Sequence, residues 1–580
     1  MSTRLLCFYG VLLWLLWSSV ARSQSLQIHG TVTDADSGYA LSYATVRNLR
    51  SQKGTATNLQ GAFVLPENKP GDTLQISYIG YQSQKKVVQA SASWTIALRP
   101  SPPTLDEVVI TTDNDYLYDL LLKAKRNGTD EIVKAKTYFF LETYLDGQMS
   151  ELIEAYYNGQ YEGYKVTDLN IKKGRIGVKS VNQKYFVSTE SSKIFLLHNI
   201  FLSDPLFPDN PLIFGRKKLK KSYDLSLEEI FMEGESRIYI IDCVPREASK
   251  ELFTTRLWLD MTHEQIRKIN FRVNQTYRHP FDLLGDEKIG HVSMNITRNY
   301  QRTGENVNLE TIDFSYDLTY MGREGMQNAA RTTAYLRAYD YQKAFEPPRF
   351  TFTRALLQDY RDITVAPYDT NFWTRVNEFR FFDRAEEVGA FIEKYKIQDY
   401  FKNLTPGTDS YSYQLQYPYI NWQQDRVLIK EASPDVLEKY QDGPVVERDK
   451  YQLGCKFYLD ISPLSDTLIY QLRAVIDPIE TYYYFPITAI DHVFINLYFD
   501  LLEIERRKLD RAIKGLEDQR LEAIDALYAQ SQQRYKLTAR RYISEVQRGK
   551  NIVALKKWNK KVKEALGIDN MALFQVEVGK

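Results

Sequence analysis

The sequence predicts an α+β protein that is mainly β. Three observations predict it. Aromatic residues are plentiful, with 42 Tyr, 28 Phe and 7 Trp, and such rings favour strands. Period-two alternation recurs up to about residue 340, most strictly at Ile312, Phe314, Tyr316, Leu318 and Tyr320. Beyond Asp491 proline vanishes, and Leu, Glu, Lys, Arg and Gln dominate, a helical composition. The expected architecture is an N-terminal seven-stranded β-sandwich, a central curved antiparallel sheet and long C-terminal helices. With 43% hydrophobic and 26% charged residues, the chain is globular rather than disordered. A net charge of +1 speaks against a nucleic-acid partner, which calls for a basic protein.

The first residues read as an address. Arg4 precedes an apolar run, Leu5 to Trp17, and small residues follow at Ser18, Ser19, Ala21 and Ser23. That is the pattern of a signal peptide over residues 1–23, cleaved before Gln24. The run falls short of the ~20 apolar residues of a membrane span. No later segment is apolar enough for a transmembrane helix, so an exported protein is expected, periplasmic, outer-membrane associated, or surface-exposed or secreted. Cys7 leaves with the signal. Cys243 and Cys455 then either pair or stay buried apart.

Residues 24–99 alternate short strands with turns. Ile28 to Val32, Ala44 to Val46, Ala62 to Leu65, Leu74 to Tyr78 and Trp94 to Leu98 read as strands. Asp34 to Gly38, Asn58 to Gly61 and Pro70 to Asp72 carry turn chemistry. Phe63, Leu74, Ile76 and Tyr78 are expected in the core, with Gly61 and Gly80 supplying backbone freedom. Asp34-x-Asp36-x-Gly38 lacks the further carboxylates of a calcium loop and reads as a plain turn.

The combination Gly30-x-Val32-x-Asp34, Thr57-Asn58-x-x-Gly61-x-Phe63 and Ser77-Tyr78-Ile79-Gly80-Tyr81 resembles the carboxypeptidase-regulatory-like (transthyretin-like) domain. That domain heads many exported Bacteroidota proteins, including TonB-dependent receptors. The resemblance implies an Ig/transthyretin-like sandwich, with Asn58, Gly61, Phe63, Ser77, Tyr78, Gly80 and Tyr81 as structural signature residues. A wider similarity to Bacteroidota proteins carrying this domain rests on Leu105-Asp106-Glu107-Val108-Val109-Ile110, Gly174-Arg175 and Asn371-Phe372-Trp373. It implies no activity.

The zinc peptidase behind the family name needs His-x-x-Glu plus a distant His. The six histidines are His29, His198, His263, His279, His291 and His492, and none has Glu three positions later. His279-x-x-Asp282 with His291 is the nearest cluster and reads as a solvated loop. No catalytic, cofactor-binding or metal-binding residue is therefore expected.

Pro100-Ser101-Pro102-Pro103 is a stiff linker, and Leu105 to Thr111 reads as a strand added to a sheet edge. Tyr116 to Arg126 reads as a helix stopped by Asn127-Gly128. A meander follows: Thr137 to Tyr144, Ser150 to Tyr157, Val166 to Ile171, Arg237 to Cys243, Thr255 to Asp260, Gln265 to Asn274, Val292 to Tyr300, Leu309 to Tyr320 and Ala329 to Tyr339. Asp146-Gly147 is a hairpin turn, and His263 with Glu264 is a loop pair. Arg256 to Asp260 with Gln265 to Ile269 is similar to strands in the half-barrel of LolA-type lipoprotein carriers. That similarity implies an apolar face able to hold acyl chains; a packed core under helices is the favoured alternative. Tyr335, Tyr339 and Tyr341 allow a sugar-stacking surface, but cross-strand packing is favoured.

Ala385 to Tyr395 reads as a helix, and Gln452 to Ile461 and Thr467 to Ile476 as paired strands. Leu502, Leu509, Leu516 and Ala523 form a heptad stripe. The expected helix runs to Arg548, a second spans Asn551 to Leu566 with Gly567 as C-cap, and Leu573 to Val578 ends the chain as a strand. Glu503 to Leu566 holds 17 Lys/Arg against 9 Asp/Glu, a net of +8. Peripheral contact with anionic lipid through these helices is one reading; a solvated face is the other.

The expected domains are 1–23 signal peptide, 24–99 sandwich, 100–111 linker, 112–380 meander, 381–490 mixed α/β and 491–580 basic helices. The expected function is a non-catalytic exported cell-envelope protein with a binding or assembly role through its regulatory-like β-sandwich and β-sheet domain, its partner an envelope protein or a glycan or lipid ligand. The alternative is a carrier or sensor of a lipid-like or glycan ligand, and the least favoured a carboxylate-dependent hydrolase.

Overall fold

The computed structural model describes residues 26–51, 53–58, 60–89, 93–101, 114–126, 131–182, 188–247, 251–281, 288–303, 306–321, 327–350, 363, 369–376, 385–396, 420–423, 426–429, 450–463, 468–477, 480–517 and 520–576. The signal segment, the strand expected at Leu105 to Thr111 and the Asn127-Gly128 stop lie outside them. Among the described residues strand exceeds helix, 46% against 28%, so they are mainly β as expected.

Seven strands build the N-terminal unit: β1 Leu26–Asp34, β2 Thr45–Asn48, β3 Gly54–Ala56, β4 Ala62–Asn68, β5 Thr73–Ser77, β6 Gln84–Val87 and β7 Ser93–Leu98. They form two sheets, β4-β1-β7 and β3-β2-β5-β6. Alternate residues face inward, so Ile28, Val32, Phe63, Leu74 and Ile76 are buried in one core. Gly61 sits at φ +74°, where a Cβ would lie 2.5 Å from the Val32 carbonyl oxygen; only glycine fits there. Tyr78 packs at the margin of this core, half-buried rather than inside it. Tyr is amphipathic, and its position at the end of β5 lets the ring reach the next unit.

Helix α1, Asp115–Arg126, leads into a ten-stranded antiparallel sheet. Its strands are β8 Ile132–Leu145, β9 Gln148–Glu162, β10 Lys165–Val178, β11 Tyr223–Glu233, β12 Ser236–Pro245, β13 Thr254–Asp260, β14 Gln265–Val273, β15 Lys288–Thr303, β16 Asn306–Met321 and β17 Gln327–Tyr339. The spatial order is β10-β9-β8-β17-β16-β15-β14-β13-β12-β11. Asp146 (φ 49°) and Gly147 (φ 77°) make the left-handed two-residue turn between β8 and β9. Between β10 and β11 the chain leaves the sheet through α2, Thr189–Leu197, and α3, Arg216–Ser222.

The sheet has two buried faces. The inner face, with Ile153, Leu257, Ile296, Ile312 and Leu336, is covered by α1, α2 and α3. Part of the outer face, with Tyr138, Tyr156 and Tyr335, is covered by α4 Thr370–Arg375, α5 Ala385–Lys394 and the edge of the sandwich.

The C-terminal unit holds β18 Ile420–Asn421, β19 Tyr451–Gln452, β20 Cys455–Pro463, β21 Leu468–Ile476 and β22 Tyr482–Tyr483, then α6 Ala489–Lys514, α7 Leu521–Val546, α8 Ile552–Leu566 and α9 Asn570–Leu573. Strands and helices share one core, seen in the burial of Phe457, Ile476, Phe494 and Tyr542 together. Thr488 and Asp491 form a capping box that starts α6.

Two expectations are corrected here. The helix expected to run to Arg548 breaks at Gly515, the C-cap of α6. Leu509, Ile513 and Ile524 meet in one cluster, so the heptad stripe belongs to two helices folded onto the same strands. The strand expected from Leu573 is absent among the described residues: Leu573 ends α9 and Gln575 turns at φ 52°. Gly567 does cap α8, at φ 76°. Cys243 and Cys455 are both free, the first in the inner-face core and the second against the C-terminal core.

Candidate functional site

The inner face concentrates unusual chemistry at the two ends of α2. Alternation along β9 sends Ile153 and Ala155 inward with Glu151, which is fully buried. The Ser188 amide donates to both Glu151 oxygens (2.9 and 3.1 Å), and the Ser188 hydroxyl donates to Oε2 at 2.6 Å. The Thr143 hydroxyl adds a 3.1 Å bond. Burial pushes the Glu151 carboxyl up to about 7, against these hydrogen bonds, which favour the charged form.

At the far end, Arg298 projects inward from β15 with no exposed surface. Its Nη2 donates to the carbonyls of Phe195 (3.2 Å) and His198 (2.8 Å), the last turn of α2. Phe195, in that last turn, is stacked on Phe314 at 4.6 Å and on Tyr316 at 5.6 Å. So α2 is an aromatic plug fixed at each end by an ionisable side chain of the sheet. Among the described residues the apolar side chains of the inner face and of its covering helices form one buried cluster.

Other charged clusters sit where units join. At one edge, the Lys172 Nζ meets Asp460 Oδ1 at 2.5 Å, and the Lys173 Nζ meets Asp460 Oδ2 at 2.7 Å. Lys173 also lies 3.5 Å from Asp369 and donates to Gln471 at 2.9 Å. Strand β10 is thereby bonded to β20 and to the start of α4. On the outer face, Tyr43 of the sandwich stacks on Tyr335 at 4.7 Å. Thr45 donates to Glu310 (3.1 Å) and accepts from Arg337 (3.0 Å). Lys268 sits 5.4 Å from the Tyr78 ring centre. Asp313 lies in this seam, and burial, offset in part by Lys268, raises its carboxyl to about 7. The Tyr335 ring expected for sugar stacking or packing thus packs against the sandwich.

The signature residues are structural in their contacts. Asn58 Oδ1 accepts from the amides of Gln60 (2.9 Å) and Ala62 (2.8 Å), closing the turn before β4. Phe63 is core, Ser77 pairs with Thr45 across the sheet, and Gly80 turns at φ 87°. Tyr81 donates to Asp34 Oδ2 at 2.6 Å and packs edge-on to Tyr78. Asp34 Oδ1 accepts from the Asp36 and Ser37 amides (2.9 and 2.7 Å) and the Ser37 hydroxyl (2.9 Å), so one oxygen closes the turn and the other takes the Tyr81 hydroxyl. His263 bonds Asp260 at 2.9 Å in the β13–β14 turn. His279 stacks on Phe281, Asp282 lies outside the described residues, and no group of three His, Cys, Asp or Glu is placed to hold a metal among those described.

The residues that sequence reasoning missed are Glu151, Ser188 and Arg298. Their one sequence signal is a charged residue in phase with an apolar alternation: Arg298 follows Val292, Met294 and Ile296 at even positions.

A further feature lies on the C-terminal helices. An open depression of about 740 Å³ separates α8 from α9. Lys556, Lys560, Lys563, Asp569, Met571 and Val576 are among the residues that line it, with Lys563 paired to Asp569 at 3.0 Å.

Residues 28–110 match the CarboxypepD_reg-like domain model. The N-terminal unit is therefore a carboxypeptidase-regulatory-like domain, and the match continues past the sandwich into the connector. No curated protein matches the chain. Among solved structures, a domain assigned to outer membrane lipoprotein sorting from Vibrio parahaemolyticus is 12% identical, with a TM-score of 0.18, over 42% of this chain and 96% of its own. A LolA superfamily protein from Nitrosomonas europaea is 10% identical, with a TM-score of 0.14, over 40% of this chain and 94% of its own. The MucA/MucB complex of Pseudomonas aeruginosa contributes a chain 10% identical, with a TM-score of 0.13, over 38% and 93%. Likenesses of that size decide nothing about function. No described helix is long and apolar enough to cross a membrane.

Proposed function

We propose that the protein is a non-catalytic, exported component of the cell envelope that binds or assembles with an anionic envelope partner through its basic C-terminal groove. In this reading the sandwich (24–99), the sheet domain (112–380), the mixed segment (381–490) and the helical region (491–580) are units of one scaffold. The observation that carries it is the groove between α8 and α9. Lys556, Lys560 and Lys563 recur at helical spacing and are all exposed, with Met571 and Val576 in the same lining; Asp569 offsets Lys563 at 3.0 Å and leaves Lys556 and Lys560 as the stronger cations. Such a surface suits a partner bearing phosphate or carboxylate groups beside apolar ones. The buried ionic clusters support the scaffold: they are spent at junctions between units, where buried polar pairs fix relative placement.

The test is the triple variant Lys556→Glu, Lys560→Glu, Lys563→Glu, with circular dichroism confirming its fold. Pull-down from envelope extract with mass spectrometry should recover a partner with the wild type and lose it with the variant. Identical recovery and identical cell fractionation by both proteins would sink the reading.

A further inference from the structure

We propose that Arg298 is one half of a buried ion pair whose other half is a bound monoanion, a carboxylate in chemical class, seated against the last turn of α2. The site is independent of the C-terminal groove. Arg298 has no exposed surface, and its Nη2 is occupied by two backbone carbonyls. Its Nε and Nη1 are buried and make no hydrogen bond. Among the described residues no carboxylate is paired with it; the Tyr300 hydroxyl is its side-chain hydrogen-bonding neighbour, and His198 feels its charge.

Three physical points make this arrangement a receptor. A guanidinium cannot shed its proton to escape burial. An uncompensated buried cation is far more costly than an unmet neutral hydrogen bond. The carbonyls at the end of α2 offer only the partial negative charge of a helix C-terminus, which leaves most of a unit charge to balance. His198 adds a second receptive atom. Its ring is buried, its Nδ1 makes no hydrogen bond, and burial together with Arg298 keeps it neutral, down to about 3. A neutral imidazole can donate one hydrogen bond to an anion without adding charge. The neighbours are rings, with Phe207 tilted against His198 at 4.2 Å and Phe195 stacked on Phe314. A monoanion with an apolar side therefore fits better than a multiply charged, strongly hydrated one. Two sources share this chemistry, a free small carboxylate and the head of an amphiphile whose chain takes the place of the α2 rings.

The experiment follows thermal unfolding of the mature chain in sodium acetate, sodium decanoate and neutral decanol at matched ionic strength, for wild type and Arg298→Met. Either carboxylate should raise the wild-type midpoint by roughly 5 °C near saturation and leave the variant unmoved, with decanol inert. Acetate and decanoate acting alike identifies a free anion; decanoate acting alone identifies an amphiphile head. Equal responses of wild type and variant, or no response to either carboxylate, overturns the proposal. A second measurement uses the wild type alone, so it stands even where the variant does not fold. The carboxyl signal of ¹³C-labelled decanoate or acetate bound to the protein should keep its ionised shift well below the pH at which the free acid titrates. A bound signal that titrates like free acid also overturns it.

Discussion

Replacing Asp460 with Asn should loosen the joint between the large sheet and the C-terminal unit. Asp460 is the shared counter-ion of two lysines. Its oxygens lie 2.5 Å from Lys172 and 2.7 Å from Lys173, and the three side chains are 1%, 0% and 2% exposed. Removing one partner of a buried pair costs about 3–5 kcal/mol, because the other charge stays buried. The lysines keep some help. Lys172 still donates to the carbonyls of Glu346 (2.6 Å) and Ile461 (2.8 Å), and Lys173 keeps Gln471 and, at 3.5 Å, Asp369. The lower half of the range, about 3–4 kcal/mol, is therefore expected. For a unit of 150–250 residues this is a fall of roughly 6–16 °C in midpoint. Calorimetry gives the midpoint, and limited proteolysis reports whether the C-terminal unit opens first. Lys172→Met combined with Asp460→Asn should lose less than the sum of the single losses, since the two sites share one interaction. An Asp460→Asn midpoint within 2 °C of wild type refutes the reasoning.

Glu151 predicts a pH dependence. Its folded value of about 7 lies above its ordinary 4.5, so between those values the folded protein holds a proton that the unfolded chain has lost. Stability from this group is full below about pH 4.5, falls as pH rises to about 7, and is level above; the amplitude is roughly 3 kcal/mol at 1.36 kcal/mol per pH unit. Asp313, also raised to about 7, adds a slope of the same sign, so urea midpoints from pH 4 to 8 should fall in the wild type, fall less in Glu151→Gln by the Glu151 share, and lose the slope in Glu151→Gln combined with Asp313→Asn. Gly61→Ala combines a left-handed backbone with a clash on the Val32 carbonyl and should destabilise the sandwich by about 1–3 kcal/mol or more, read by urea unfolding. Cys243 is buried in the inner-face core and Cys455 is half-buried against the C-terminal one, so a thiol reagent should label Cys243 only in denaturant, and oxidant should not form a disulfide between the two.

Much of the fold was legible because it follows local rules. The strict alternation at Ile312 to Tyr320 became β16, and Asp146-Gly147 became a turn, since side-chain period and positive φ are properties of a few neighbouring residues. The α6–α7 break was misread because a heptad stripe records which residues are apolar and not whether the chain doubles back; Gly515 was the discriminating residue. Strand β11 and helices α2 and α3 went unassigned, as their apolar residues mix with charged ones such as Glu228, Glu229, Lys217 and Lys218. The polar fixings of α2 were hidden for a different reason. Glu151 meets Ser188, and Arg298 meets the carbonyls of Phe195 and His198, across separations that only the completed sheet brings together.

That sheet has a consequence for how the chain is made. Its first strand, β8, pairs in the middle with its last, β17, Leu145 standing opposite Ala330, while the two edge strands, β10 and β11, are sequence neighbours on either side of the α2–α3 excursion. Each half is a run of local hairpins that can zip as it emerges. The central seam waits for the whole meander, and closing a loop of that length is slow. Until Tyr339 has arrived, the β8 edge is an open template for any passing strand. The vulnerable moment in this protein's biogenesis is therefore the interval between the third strand and the tenth, and a holding chaperone would have its use there.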